Sequence, residues 1–153
     1  MAVERDRPYG QFNFRVVIEN GPDAASTRAA FQEVSGLGME ITVAEYRGGN
    51  FKQNAPIKVT GTYKVPDVTL KRGVIGDLET LYQWINQVRD GSQTALRTVT
   101  IQLHSEDNGD TPVQSWKLTN ARPTKYTGPS LSGKGTDVAI EELVLASERI
   151  ELD

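Results

Sequence analysis

The stretch of the sequence whose residue types could do chemistry is Lys71-Arg72-Gly73, which follows a short apolar run and precedes a helical pattern. Cations and glycines ahead of a helix can hold a phosphate group, because the first backbone N–H groups of a helix attract anions. A P-loop, however, has a Lys and then a Ser or Thr directly after its last glycine, and this stretch has neither. We therefore interpret it as a charged corner between a strand and the helix, held by ion pairs or by a neighbouring subunit.

The other candidate for chemistry is His104, the only histidine, which stands beside Ser105. A hydrolase built on this pair would also need an orienting acid and an oxyanion site, and the sequence shows neither. We interpret His104 as a surface or inter-strand residue. The chain has no cysteine, and one histidine with scattered carboxylates matches no zinc or calcium pattern. No catalytic residue, metal or cofactor is expected.

The composition indicates a soluble globular protein, because hydrophobic residues make up 37% and charged residues 24% of the 153. We expect one domain over residues 1–153. The net charge is −3 and no run of Lys or Arg exceeds two residues, so a nucleic-acid surface is not indicated. No apolar run approaches the roughly 20 residues that span a bilayer, and the first ten residues lack the apolar segment of a secretory signal. Stable membrane insertion is not expected, and the composition fits synthesis in the cytoplasm.

Period-two alternation predicts most of the elements that must position these residues. Residues 57–65 alternate between apolar and polar side chains without a break, which predicts a strand with one wet face. Gly61 in its middle indicates a bulge or a close backbone approach. Residues 39–46 also alternate, which predicts that Ile41 and Val43 share one face of a second strand.

Further strands are predicted at 11–20, at 68–70 and on both sides of Asn108-Gly109, whose sequence is typical of a hairpin turn. Residues 22–38 read as a loop. The Pro-, Gly- and Ser-rich stretch 121–135 reads as a connection between elements.

One helix is predicted over residues 77–89, with Asp77 as N-cap and Gly91 just past its end. Its predicted apolar face consists of Leu78, Leu81, Tyr82, Ile85 and Val88. Periodicity leaves the final segment, 137–152, open between helix and strand. Together the patterns predict a mainly β fold: an antiparallel barrel or sandwich with one α-helix packed on it.

The segment 48–56 is a polar loop between two well-patterned strands, and we predict that it is flexible. Loops of this kind often carry intermolecular contacts. Barrels that close between subunits also remove the edge strands that invite uncontrolled pairing. These features point toward self-association.

Several segments, in order over nearly the whole chain, resemble the tail tube proteins of contractile phages and of extracellular contractile injection systems. The most specific is "VTLKRG", followed by a helix that contains Trp84 and ends in "VRDG". One departure is Arg122 before Pro123, where the family tends to carry an aromatic residue. The other matching segments are "PYGQFNFRVVIENG", "FQEVSGLGMEITVAEYRGGN", "NARPTKYTGP" and "VAIEELVLASERIEL".

The resemblance implies a β-barrel subunit that forms hexameric rings, stacked into a hollow tube inside a contractile sheath. Partners would be further copies of the chain, sheath, baseplate or hub, and cap or terminator proteins, with cargo protein or DNA in the lumen. It implies that the C-terminal segment is strand, and assembly in the bacterial cytoplasm as part of a phage tail or a phage-tail-like particle. It also implies contacts between subunits or rings by Arg47, Gly48, Gly49, Asn50, Phe51, Lys52, Gln53, Asn54, Lys71, Arg72 and Gly73.

Two alternatives from other classes stay open at this point. A small-ligand-binding barrel would need an apolar face that lines a closed cavity. A hydrolase would need His104 in a catalytic arrangement. The sequence also leaves open whether the particle is a phage tail, a bacteriocin or an injection system, and whether this chain forms the main tube or a baseplate-proximal ring.

Overall fold

The computed structural model describes residues 6–19, 31–75, 79–107 and 109–153. These residues form nine strands and one helix. The predicted turn at 20–22, the predicted N-cap Asp77 and Asn108 lie outside the described residues. In chain order the elements are β1 (Phe14–Ile18), β2 (Glu33–Ser35), β3 (Glu40–Tyr46), β4 (Ile57–Lys64), β5 (Val68–Gly73), α1 (Glu79–Arg89), β6 (Arg97–Leu103), β7 (Gln114–Thr127), β8 (Ile140–Ala146) and β9 (Arg149–Leu152).

Seven of the strands form one bent antiparallel sheet in the order β1-β6-β7-β8-β5-β2, and β9 pairs with β7 beside β8. β8 and β9 follow the same edge of β7, because Arg122 pairs with Ala146 and Thr119 pairs with Arg149. The strands β3 and β4 form a separate hairpin. The predicted fold, mainly β with antiparallel strands and one helix, is confirmed, and the C-terminal segment is strand as the resemblance implied.

The long strand β7 belongs to both halves of the sheet and bends between them. Asn120 has a φ of 53°, a left-handed conformation that asparagine tolerates better than most residues. The register with β6 shifts between Arg97 and Val99, opposite this residue. Before the bend β7 pairs with β6 and β9, and after it β7 pairs with β8. The bend wraps the sheet around the core.

The interpretation of 121–135 as a connection is wrong for its first half, because β7 continues to Thr127. Pro123 cannot donate to a strand ladder, but the register with β8 shifts between Pro123 and Lys125, where the ladder is already interrupted. The Pro-, Gly- and Ser-rich composition of this stretch is typical of turns, and for that reason it did not predict the strand. The strand β2 was also missed, since three residues are too few to show a period.

The helix packs against β7, and its largest buried side chain, Trp84, donates its indole N–H to the Ala95 carbonyl at 2.7 Å. The Arg97 guanidinium lies 5.0 Å from the Trp84 ring centre. The helix ends at Arg89, and Gly91 lies just past its end as predicted; its φ is +83° and its N–H bonds back to the Val88 carbonyl. Tyr82, predicted on the buried face, is exposed, because it lies at the rim of the contact with the sheet.

The first glycine of the "VSGLG" segment, Gly36, is required by its backbone conformation, and this gives a testable prediction. Gly36 has a φ of +90°, and a methyl group there would clash with the Asp67 backbone carbonyl. We expect Gly36→Ala to lower the free energy of unfolding by at least about 1 kcal/mol. Gly38→Ala is the matched control, because nothing lies within 4 Å of that position. Urea unfolding followed by circular dichroism measures both; equal midpoints would contradict the prediction.

Candidate assembly interface

The hairpin of β3 and β4 is the most unusual surface of the described chain. The two strands pair only with each other, and every residue in both is exposed. A two-stranded hairpin is marginal in water on its own. A hairpin this long with an uncovered apolar face is therefore expected to pack against something outside the subunit.

The register gives the outer part of the hairpin one apolar and one mainly polar face. Opposite charges lie directly across from each other in two pairs, Glu40 with Lys64 and Glu45 with Lys58. Val43 pairs with Thr60 on the mainly polar face, and alternation along β3 keeps Ile41 on the same face as Val43, as predicted. The residues on the apolar face are Ala44, Tyr46, Ile57 and Val59.

A bulge interrupts the hairpin on β4, where Gly61 and Thr62 together stand opposite Thr42 of β3. A methyl group on Gly61 would lie 3.1 Å from the Thr42 carbonyl oxygen. The prediction that Gly61 marks a bulge or a close backbone approach is confirmed. The extra residue on β4 puts Tyr63 on the opposite face of the hairpin from Val59.

The base of the hairpin is fixed to the corner between β8 and β9. The Tyr63 hydroxyl donates to the Glu148 backbone carbonyl at 3.2 Å. The Glu148 carboxylate accepts from the Asn120 side-chain amide at 2.8 Å and from the Arg122 guanidinium at 3.5 Å. Arg122 thus pairs with an acid at the position where the family tends to carry an aromatic residue.

The tip of the hairpin is the predicted contact loop, and Arg47 organises it. Its guanidinium donates to the Phe51 carbonyl at 3.4 Å and to the Asn54 side chain at 3.3 Å. The Phe51 N–H closes a turn onto the Gly48 carbonyl, and the Phe51 ring meets Tyr46 edge to face. The loop has this internal hydrogen-bonded structure in the isolated chain. The others predicted here, Gly49, Asn50, Lys52 and Gln53, are exposed.

The structure places Lys71-Arg72-Gly73 inside β5, not between strand and helix as interpreted from the sequence. Because strand side chains alternate, Arg72 points inward, and only 3% of its side chain is exposed. Its Nε donates to Glu141, itself 4% exposed, at 2.6 Å. Lys71 lies 3.9 Å from Glu33 at the surface. The ion-pair interpretation thus describes Arg72, while contacts with a neighbouring subunit stay a prediction for all three residues.

The Arg72–Glu141 pair has a third partner, since the Tyr126 hydroxyl donates to the other carboxylate oxygen at 3.0 Å. Burial, and after it this hydrogen bond, raises the pKa of Tyr126. The guanidinium also lies 5.9 Å from the Phe31 ring centre. The cluster neutralises the charge it buries and has a structural role.

His104 is buried, not at the surface, and its Nδ1 donates to the Gly109 carbonyl at 2.8 Å. The bond closes the β6–β7 hairpin, whose pairing was predicted. Among the described residues, no group of three or more histidine and acidic side chains could hold a metal ion. The described helix is too short and too polar to cross a membrane.

The fold and the hairpin define a class: small β proteins whose uncovered apolar surface is suited to self-assembly. The family model for the T4-like virus tail tube protein gp19 matches residues 10–151. The chain therefore belongs to the tail tube protein family. A comparison with curated protein sequences gives no match.

Three solved structures give the range of similarity. A chain of the extracellular contractile injection system PVC, in its extended sheath–tube complex, is 28% identical with a TM-score of 0.81, covering 97% of this chain and 93% of that one. A chain of the anti-feeding prophage cap, a tube-terminating cap, is 26% identical with a TM-score of 0.82, covering 100% and 95%. A type six secretion system protein shares only the fold, at 12% identity and a TM-score of 0.51, covering 92% and 82%.

The buried ion pair gives a prediction about stability. Glu141→Leu leaves the Arg72 charge buried without its carboxylate, and we expect the free energy of unfolding to fall by about 3–5 kcal/mol. The double variant Arg72→Met/Glu141→Leu should be closer to the wild type, because it removes both charges. Arg149→Ala is the control, since it breaks an exposed pair with Glu151 and should cost less than about 1 kcal/mol. Chemical denaturation measures all three; a double variant less stable than Glu141→Leu would contradict this account.

Proposed function

We propose that the chain is the inner-tube subunit of an extracellular contractile injection particle. Six copies form a ring, rings stack into a tube, and a sheath drives the tube through a target envelope. The single observation that supports this most strongly is the projecting hairpin, whose whole apolar face is uncovered in the isolated chain.

The energetics of the hairpin favour assembly. Ile57 and Val59 on the apolar face are each about half exposed, and fully burying one such side chain stabilises by roughly 1.5–3 kcal/mol relative to exposure. A contact that covers the rest of the apolar face therefore contributes several kcal/mol per subunit on the same scale. The hairpin also has two unpaired strand edges, because β3 and β4 pair only with each other, and such edges invite uncontrolled pairing unless a neighbour covers them.

The partners in the proposal follow from the two structures above 25% identity. One belongs to a sheath–tube complex and the other to a tube-terminating cap. We assign sheath and cap as partners of this chain on that basis, together with a baseplate. The particle is assembled in the bacterial cytoplasm and then released.

The mechanism is mechanical rather than catalytic. A hydrogen-bonded β wall transmits thrust, and the lumen conducts cargo protein or DNA. The loop 47–54, together with β4, reaches the neighbouring ring, and Lys71 and Gly73 lie close to a subunit junction. Arg72 contributes to that junction indirectly, because its ion pair fixes the end of β5.

The two faces of the hairpin allow a matched test of the proposal. Val59→Asp places a charge on the apolar face, and Thr60→Asp places the same charge one residue on, on the polar face. We expect Val59→Asp to stay dispersed and Thr60→Asp to form rings and tubes like the wild type. Electron microscopy and sedimentation give the readout, and circular dichroism checks that both variants fold. Assembly of Val59→Asp at wild-type concentration would contradict the proposal.

A second prediction separates ring formation from stacking. Arg47→Ala removes both side-chain bonds that hold the tip loop, while the apolar face remains intact. We expect this variant to form single rings but few or no stacked tubes. Lys52→Ala is the control, because it changes an exposed loop residue outside those bonds. Normal tubes from Arg47→Ala would show that the loop does not set ring stacking.

A further inference from the structure

A cleft of about 280 Å³ lies between α1 and the β5–β8 part of the sheet. The surface that it exposes is mainly apolar, and its aliphatic residues are Leu81 and Ile85 from the helix and Leu70 and Leu143 from the strands. Its polar lining includes the Arg72–Glu141 pair, whose charges are already partnered within the chain. Such a cleft suits an apolar side chain, because that side chain need not supply a compensating charge.

The same chain presents one apolar side chain of suitable kind. Leu131 is 85% exposed, the highest value among the exposed large hydrophobic residues of the described chain. It lies in the connection 128–139, which contains no helix or strand. A turn directly after it is ordered by bonds from the Gly135 and Lys134 N–H groups to Ser132. The turn holds Leu131 out from the surface.

We propose that Leu131 of one subunit inserts into this cleft of the next subunit in the same ring. The inference rests on the proposed function, since it assumes that rings form. It assigns the residues of a second ring contact, separate from the hairpin and its tip loop. The two surfaces differ, so the contact is head-to-tail, the kind that closes into a ring when the rotation fits.

The position of the two surfaces favours a contact within a ring over one between rings. The cleft is lined by Tyr126 and Glu142, which stand just before and just after the 128–139 connection. Leu131 and the cleft thus lie at the same end of the subunit. Rotation about the ring axis does not change the position of an atom along that axis. A contact within a ring therefore needs two surfaces at the same end of the subunit, whereas a contact between stacked rings needs surfaces at opposite ends.

Charge also agrees with this contact. Lys134 lies three residues after Leu131, and the acidic residue Glu142 is among those that line the cleft. When Leu131 enters the cleft, the ordered turn brings Lys134 to the rim, where opposite charges orient the loop.

The absence of native cysteine allows disulfide trapping as the test. Tubes are assembled from Leu131→Cys/Tyr82→Cys, since Tyr82 lies at the cleft rim, and are then oxidised. We expect a ladder of covalent multimers that ends at the closed ring. The control pair Leu131→Cys/Lys117→Cys, whose second site lies on the N-terminal half of β7, should give at least about tenfold less cross-linking. Equal cross-linking in the two sets of tubes overturns the inference.

A second pair of variants decides the matter if the cysteine variants do not assemble. Leu131→Ser should raise the concentration needed for assembly by about tenfold or more, the order expected for one leucine that loses its burial. Val138→Ser, an exposed apolar residue of the same connection, should leave it unchanged. Equal effects of the two substitutions overturn the inference while the tube assignment stands. Failure of the wild type to form rings or tubes would instead overturn the proposed function, and this inference with it.

Discussion

The corner around Glu148 is the contact on which the rest of the structure depends. Its carboxylate holds Asn120, the left-handed residue where β7 bends, and its backbone carbonyl accepts the Tyr63 hydroxyl from the base of the hairpin. The same residue separates β8 from β9. One position therefore couples the bend that encloses the core to the point from which the hairpin leaves the body.

The distribution of polarity in the subunit is reversed in two places, and assembly accounts for one of them. Arg72 and Glu141 are buried where apolar residues are usual, at a desolvation cost that their mutual bond offsets only in part. The apolar face of the hairpin is exposed where polar residues are usual. The buried pair is complete within the chain, whereas the exposed face requires a partner. A tube of identical subunits supplies that partner through the chain's own surfaces.

Much of this fold could be predicted from residue patterns. Local sequence patterns predicted the strand in 57–65, the helix with its glycine end and the hairpin around 109. These elements are formed mainly by contacts between residues that are near in sequence. Periodicity could not distinguish strand from helix in the C-terminal segment, because the spacing of its apolar residues fits both. Resemblance to the tail tube family resolved it.

The other differences between the sequence-based predictions and the structure arise where contacts with distant residues determine the local structure. Tyr63 lies on the opposite face from Val59 because the bulge at Gly61 and Thr62 adds a residue to β4, and no single-strand pattern records a register. β7 continues through Pro123 because the ladder is already shifted there. Arg72 was interpreted as part of a charged corner between strand and helix, although the alternation that begins at Val68 could have placed it inside the strand and inward. The glycines that follow Arg72 favoured a connection between strand and helix, and we gave this more weight than the period-two alternation.

The most direct test of the central claim is cryo-electron microscopy of the purified wild-type protein, concentrated and at moderate salt, alone and with sheath and baseplate proteins. The account predicts sixfold rings that stack into tubes, in which neighbouring subunits cover the apolar face of the β3–β4 hairpin. Tubes in which that face remains open to solvent would contradict it. So would a protein that stays monomeric at every concentration and does not join the supplied sheath and baseplate.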